Sequence, residues 1–278
     1  GEFFPSLNMC QPDRYPKYAW FLRDDVNSAW NGYGNKIAGL KDPEAFIKKN
    51  SDFIIRRTRA EVLPDLPAVA HNHMFNELGG KVEQAYKDEF IKFRSDFNSM
   101  GSKKDFSDNG NIPAYLSRMR HLTGYAKIDP CLDFCAEFLA SSDDERICIF
   151  VHHVDVAALL EQKLKALCKA LDFDWEPMNL VSLNPSVREK KKDDWIASKS
   201  RILILSTLAS GEGLDGLQRV CYKLVMLERE WNPANEDQVE GRFSRIGHLK
   251  TADNKVDNTF FIAVGTVDEF FAEIVERK

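Results

Sequence analysis

Arg201-Ile202-Leu203-Ile204-Leu205-Ser206-Thr207-Leu208-Ala209-Ser210-Gly211-Glu212-Gly213-Leu214 runs from an unbroken apolar segment straight into a loop of small residues. An apolar run without polar alternation reads as a strand covered on both faces, as in a parallel sheet between helical layers. Arg146 to Val151, Lys223 to Leu227 and Asn258 to Val264 repeat the pattern, and a shorter strand falls near Met178 to Leu183. Helical patterns lie around them: Pro130 to Ser141, Val154 to Leu171, Ser186 to Ser198, Glu236 to Arg245, and Val267 to Arg277. In the second of these, Leu159, Leu160, Leu164 and Leu167 line one side. Strand and helix in alternation predict an α/β fold, a parallel sheet with helices on both faces. Such sheets bind ligands beyond the carboxyl ends of their strands, so the loop from Ser206 to Leu214 is the first place to look for chemistry.

The texture differs ahead of Lys127. Residues 1–126 are rich in aromatic and charged side chains with helical periodicity, and read as a linker and helical segment leading into, or inserted on, a sheet domain at 127–278. Phe90, Phe93 and Phe97 follow Tyr86 at three- and four-residue steps, which predicts an amphipathic helix over Gly80 to Asn98 with its aromatic stripe packed inward. Gly101 to Asn111 reads as a loop, and Pro113 suits the first turn of a second helix over Ala114 to Thr123.

With 278 residues, 44% hydrophobic and 29% charged, the chain can bury a core and has the length of one large domain or two modest ones. A net charge of -5 excludes a coat of basic charge, although a few placed cations still suffice to hold phosphate. No apolar stretch approaches the ~20 residues that span a bilayer, and no secretory signal is visible, so no membrane partner is expected. The six cysteines are scattered, which predicts free thiols in an intracellular, reducing compartment: the nucleus of a eukaryote, or the cytoplasm of a bacterium or a cell carrying a virus. Cys131 and Cys135 stand one helical turn apart with no second pair at a zinc spacing, and His71 with His73 and His152 with His153 lack carboxylate or sulfur companions, so no metal site is expected here.

Two constellations carry chemistry. The loop from Ser206 to Leu214 brings backbone N–H groups and hydroxyls close to a phosphate, or it is a plain turn between strand and helix. Arg242 and Arg245 stand three apart, so a helix through both would put two guanidinium forks on one face. That face suits a polyphosphate, or the arginines pair with surface carboxylates such as Glu236 or Glu240.

Order and spacing link the two. Ser206 to Leu214, Leu224 to Leu227, Trp231-Asn232-Pro233, Gln238, Gly241-Arg242 and Arg245-Ile246-Gly247 resemble motifs V and VI of the Swi/Snf family of superfamily-two ATPases. Further family landmarks follow in order: Phe53 to Thr58, Leu63 to Pro67, Gln84 to Tyr86, Arg146 to His152 for motif IV, Ser186 to Arg188 with Trp195, and Phe261 to Glu269. The resemblance implies a RecA-like second lobe preceded by a mainly helical family-specific segment. In the family, ATP sits between two such lobes. The first lobe holds the phosphates and magnesium, and the second supplies arginines to the transferring phosphoryl group, an effect of ~10³ to 10⁵ in rate. By that resemblance Arg245 is the finger, Arg242 its partner on the phosphates, and Gly213, Asp215 and Gln238 line the cleft. His152, Arg188, Ser206, Thr207, Ser210, Gly211 and Trp231 would follow double-stranded DNA without reading sequence and without separating its strands. The implied partners are this DNA and a first lobe of the same polypeptide.

The chain departs from the pattern in several places. Ser210 takes a glycine position, Asp215 an asparagine position, His248 stands where glutamine is common, and Ala68 follows Pro67 where lysine is common. No Gly-x-x-x-x-Gly-Lys-Ser/Thr loop occurs, since Gly80-Lys81 leads to Val82, and the pairs Asp88-Glu89 and Asp268-Glu269 sit in predicted helices. These features predict a half-motor, inactive without its first lobe. Two other readings stay open: a helicase-like interaction module that has lost catalysis, which Asp215 favours, and the lobe of another superfamily-two motor, which Trp231-Asn232-Pro233 and the segment closing at Thr266 disfavour.

Overall fold

Each continuous apolar run becomes a strand because both of its faces are covered. The computed structural model describes residues 3–30, 35–55, 57, 59–99, 111–208, 215–230, 232–249 and 255–276, in two compact units divided between Pro64 and Asp65. The first unit holds α1 (Phe3–Cys10), α2 (Tyr18–Asp25), an antiparallel hairpin of β1 (Val26–Trp30) and β2 (Asn35–Leu40), α3 (Pro43–Lys49) and α4 (Arg59–Val62). Leu7, Tyr15, Phe21, Leu22, Val26 and Phe46 form its core. Asp42 caps α3 by accepting from the Ala45 N–H at 2.9 Å, with Pro43 in the first turn.

The second unit contains β3 (Ala68–Asn76), α5 (Gly80–Ser99), α6 (Asn111–Ala126), α7 (Ile128–Ser141), β4 (Ile147–Val151), α8 (Val154–Ala170), β5 (Met178–Asn179), α9 (Pro185–Ala197), β6 (Ile202–Ser206), β7 (Lys223–Met226), α10 (Pro233–Phe243), β8 (Lys255–Ala263) and α11 (Val267–Glu276). Its six strands are all parallel, in the order β3-β8-β7-β4-β6-β5. Ile147, Ile149, Val151, Ile202 and Ile204 pack with α7 and α8 on one face, while Cys148, Phe150, Leu203, Leu205 and Met226 meet Trp195 of α9 and Val239 and Phe243 of α10 on the other. The two-residue period of each strand thus feeds two cores, as the apolar runs require. All six cysteines are free thiols, and Cys131 and Cys135 lie in the first of these cores.

Two sequence expectations change. The strand β3 falls within the segment read as linker and helical: it is an edge strand, half exposed and rich in polar residues, so its sequence lacks the buried-strand signature. The segment 65–126 belongs to the same compact unit as the sheet. Tyr86, Met119, Val267 and Phe271 pack α5 and α6 against α11, and the Tyr86 hydroxyl accepts from the Val267 N–H at 2.8 Å. Burial pushes that phenol up to about 12. Of the aromatic stripe, Phe93 packs on this cluster while Phe90 stays exposed. Finally, α10 ends at Phe243, so Arg245 lies in the turn beyond the helix and not on its face with Arg242.

Candidate functional site

Three strands deliver their ends to one point. The Leu227 N–H donates to the Phe150 carbonyl at 3.0 Å and the Thr207 N–H to the Val151 carbonyl at 3.1 Å, which gathers the exits of β7, β4 and β6. Beyond β4 come His152 and His153, and beyond β7 come Glu228, Arg229 and Glu230, all three buried. Glu228 accepts the backbone N–H of His152 and His153 at 2.8 and 2.9 Å, and the His153 ring nitrogen Nδ1 lies 2.5 Å from its other oxygen. Burial pushes the Glu228 carboxyl upward, but the hydrogen bonds and charge of His153 outweigh it and hold the group below its ordinary value. Glu230 behaves alike: His152 Nδ1 at 2.8 Å and the Arg120 guanidinium at 2.8 Å overcome its burial and lower its pKa.

Gly124 of α6 makes room for this arrangement. A Cβ there would sit 2.7 Å from Glu228 Oε1, so a larger residue cannot enter without moving the carboxylate. His121 stacks on His153 with ring centroids 4.4 Å apart, and Asp155 takes both His121 Nε2 and the Tyr125 hydroxyl at 2.7 Å.

The helix α10 starts from the same exits. Asn232 caps it by accepting from Ala234 N–H at 3.2 Å, and Pro233 opens its first turn. Arg229 Nη2 and Nε donate to the two oxygens of Glu236 at 2.8 and 3.2 Å, and the Glu230 N–H donates to Glu236 Oε1 at 2.9 Å. The other end of α10 lies at the amino edge of the sheet. Ser244 Oγ donates to the carbonyl of Pro67, just ahead of β3, and the Leu249 N–H donates at 2.7 Å to the carbonyl of Gln218, ahead of β7. The arginines therefore stand away from the carboxyl edge, against the general expectation for ligands of parallel sheets, because α10 runs back along the sheet before presenting them.

At that amino end Arg245 Nη1 meets Asp215 Oδ1 at 2.9 Å, so two residues assigned to separate motifs are brought together. Both side chains remain open to solvent, 42% and 63% exposed. Lys192 Nζ donates to the Asp215 carbonyl at 2.8 Å, and Gly216 follows with φ +98, a left-handed conformation that suits glycine. Arg242 is half-buried in the last turn of α10, and Gln238 is exposed on the same helix. At the carboxyl edge stand His152, half-buried, Ser206 at the end of β6, and Thr207, which is fully buried and presents no surface hydroxyl. Arg188 on α9 donates to the Leu183 carbonyl at 3.0 Å. Gly213, Ser210, Gly211 and Trp231 lie outside the described residues.

Arg120, Gly124, Glu228, Arg229 and Glu230 escaped sequence reasoning, and Glu236, expected as a surface partner of Arg242 or Arg245, is buried against Arg229 instead. Three charges between a buried strand and Trp231-Asn232-Pro233 look like a solvated loop. The signal available was their place directly after an apolar strand, where a chain turning over a sheet edge buries them.

Residues 129–247 match the family model described as the helicase conserved C-terminal domain. Over its whole length the chain is 22% identical to the DNA annealing helicase and endonuclease ZRANB3 of Homo sapiens, covering 25% of that protein. It is 23% identical, again over its whole length, to the SWI/SNF-related matrix-associated actin-dependent regulator of chromatin subfamily A-like protein 1 of Xenopus tropicalis, covering 28% of it. The chain thus spans about a quarter of the length of these curated relatives. The Sulfolobus solfataricus SWI2/SNF2 ATPase C-terminal domain superposes with a TM-score of 0.56 at 18% identity, over 74% of this chain and 84% of that one. The C-terminal part of the Fun30 ATPase domain gives 0.53 at 16% identity, over 76% and 90%. These two likenesses establish the fold.

Proposed function

We propose that the chain is a C-terminal RecA-like lobe of the Swi/Snf type and half of an ATP-driven motor on double-stranded DNA, a reading supported by the helicase C-terminal match and the relatives above. In this reading the lobe works with a first lobe that holds most of the nucleotide and its magnesium, in an intracellular, reducing compartment. Arg245 reaches the transferring phosphoryl group, Arg242 supports it on the phosphates, and Gln238, Asp215 and Gly213 line the cleft.

The observation that carries the reading is the meeting of Arg245 with Asp215. Residues 30 apart in sequence, one in the Arg-Ile-Gly turn and one just past the glycine-rich loop, converge at an open surface. Such an exposed pair is worth only ~0–1 kcal/mol, so Arg245 is restrained without being locked, and a triphosphate with several charges can displace Asp215. DNA would lie at the other end of α10, along the strand exits with His152 and Ser206, with Arg188, Ser210, Gly211 and Trp231 as further contacts. Thr207 would act there by shaping backbone and not by direct contact.

Arg245→Ala in the full-length polypeptide tests the assignment. DNA-stimulated ATP hydrolysis should fall at least ~10²-fold, with duplex binding and folding retained. Unchanged turnover would reject the role of Arg245. Asp215, by neutralising the finger, gives one ground for the alternative of a catalytically silent interaction module. That alternative predicts no DNA-stimulated hydrolysis by the unaltered full-length protein. Comparing duplex DNA, single strands and RNA as activators separates a further alternative, a motor of another superfamily-two type.

A further inference from the structure

We propose that Arg229 is a positioning residue: its forked pair with Glu236 fastens the amino end of α10 to the strand exits bearing His152 and His153, and thereby aims Arg242 and Arg245. The inference rests on the motor reading above and adds a residue to it that the motifs do not contain.

The geometry is that of a fixed joint. Arg229 and Glu236 are 2% and 3% exposed, and the two planar groups meet through two parallel hydrogen bonds. The guanidinium lies over the Phe260 ring of β8, 4.1 Å from its centroid, which fixes its plane from a third element. Glu236 also accepts the Glu230 N–H, and the Glu230 side chain meets His152 and Arg120. A continuous chain of hydrogen bonds therefore runs from the His152 ring through Glu230 to the first turn of α10.

From that joint α10 extends eleven residues, about 16 Å at 1.5 Å per residue, to the turn that bears Arg245. A helix held at one end by a rigid joint converts a small displacement there into a displacement of its far end. The far end is held by Phe243 in the core, by Ser244 on the Pro67 carbonyl and by Leu249 on the Gln218 carbonyl, while the turn that bears Arg245 makes only the exposed pair with Asp215. Buried ion pairs contribute little net stability but impose direction, which is what a joint between two working surfaces requires. DNA seated on the strand exits would press on His152 and its neighbours, and the clasp passes that change to the arginines.

The test is made in the full-length polypeptide, with ATP and a blunt duplex. Arg229→Met combined with Glu236→Gln removes both charges and keeps an acceptor for the Glu230 N–H. The DNA-stimulated kcat should fall about tenfold or more, as expected for misplaced catalytic groups, while KM for ATP and duplex affinity stay within about threefold. Arg229→Lys keeps the charge but not the fork, and should lose several-fold of the stimulation, with recovery in the unaltered Arg. Wild-type stimulation in Arg229→Lys overturns the proposal, whether or not the double variant folds. Loss confined to duplex affinity also overturns it, since Arg229 would then serve binding alone. A full-length protein that shows no DNA-stimulated hydrolysis overturns both this inference and the motor reading. Normal stimulation with insensitive Arg229 variants overturns this inference only.

Discussion

Asp215 takes a position where the Swi/Snf resemblance leads one to expect asparagine, and its carboxylate occupies the guanidinium that we propose meets phosphate. The pair is exposed, so its removal changes stability by less than about 0.5 kcal/mol, but it removes both a competitor for Arg245 and a negative charge beside the incoming phosphates. Asp215→Asn is therefore expected to lower KM for ATP about two- to fivefold, with a smaller change in kcat and a weaker effect at high salt, read from steady-state kinetics at two ionic strengths. Gly124 poses the opposite problem. In a helix interior alanine is ordinarily better than glycine by about 1 kcal/mol. Here the new methyl would meet a Glu228 oxygen that cannot swing aside, because two backbone N–H groups and His153 hold that carboxylate. Gly124→Ala should reverse the usual sign and destabilise by about 1–3 kcal/mol, seen as a lower Tm. Neither contact is legible in the sequence, where Gly124 is a lone glycine in a helical pattern and Asp215 is marked only by the asparagine position it takes. Each acquires meaning only from a residue far along the chain.

At the scale of elements, the legible parts are those with a period. The runs at Ile147, Ile202 and Leu224 appear as strands within a residue or two of expectation, because covering both faces of a sheet demands unbroken apolar sequence. The edge strand β3 was hidden because an edge needs no such coverage. The end of α10 was misplaced by two residues, and that small error moves Arg245 off the helix face. Charge networks have no period at all, which is why the joined exits of β4 and β7 came only from the structure. Those exits predict an acid response. Glu228 and Glu230 are held below the ordinary carboxyl value of 4.5, so the folded state binds their protons less readily than the unfolded state. Their contribution is present in full above about pH 4.5 and is lost as pH falls through their depressed folded values. Thermal unfolding followed from pH 6 to pH 3 should show Tm falling in that acid range. Glu228→Gln should cost roughly 3–5 kcal/mol near neutrality, by breaking a buried pair, and make the acid decline shallower. An equally steep decline in the variant would remove Glu228 from the explanation.

At the scale of the whole chain, the boundary of the sheet unit decides what can fold alone. The compact unit that holds the sheet begins at Asp65, so the later part of the helical segment packs with residues 127–278. Cutting at residue 127 would take away β3, which covers one edge of β8, and the α5 and α6 residues Tyr86 and Met119 that pack on Val267 and Phe271. It would also take Arg120 from Glu230 and Thr123 from Asp268, whose carboxylate meets Lys127 at 2.6 Å in a fully buried pair. An uncompensated buried charge alone costs about 3–5 kcal/mol, set against a total stability of about 5–15 kcal/mol for a domain. The fragment 65–278 is therefore expected to unfold in one cooperative transition with native circular dichroism, and the fragment 127–278 to aggregate or remain unfolded under the same conditions. Cooperative folding of 127–278 would show that β3, α5 and α6 decorate the sheet instead of completing it. In the folded 65–278 fragment, addition of ATP, magnesium and duplex should yield no hydrolysis above background, because on the proposed two-lobe reading the arginines at the far end of α10 act on a phosphoryl group that another lobe presents. Turnover by that fragment would place the phosphate-binding chemistry within these residues and refute the two-lobe reading.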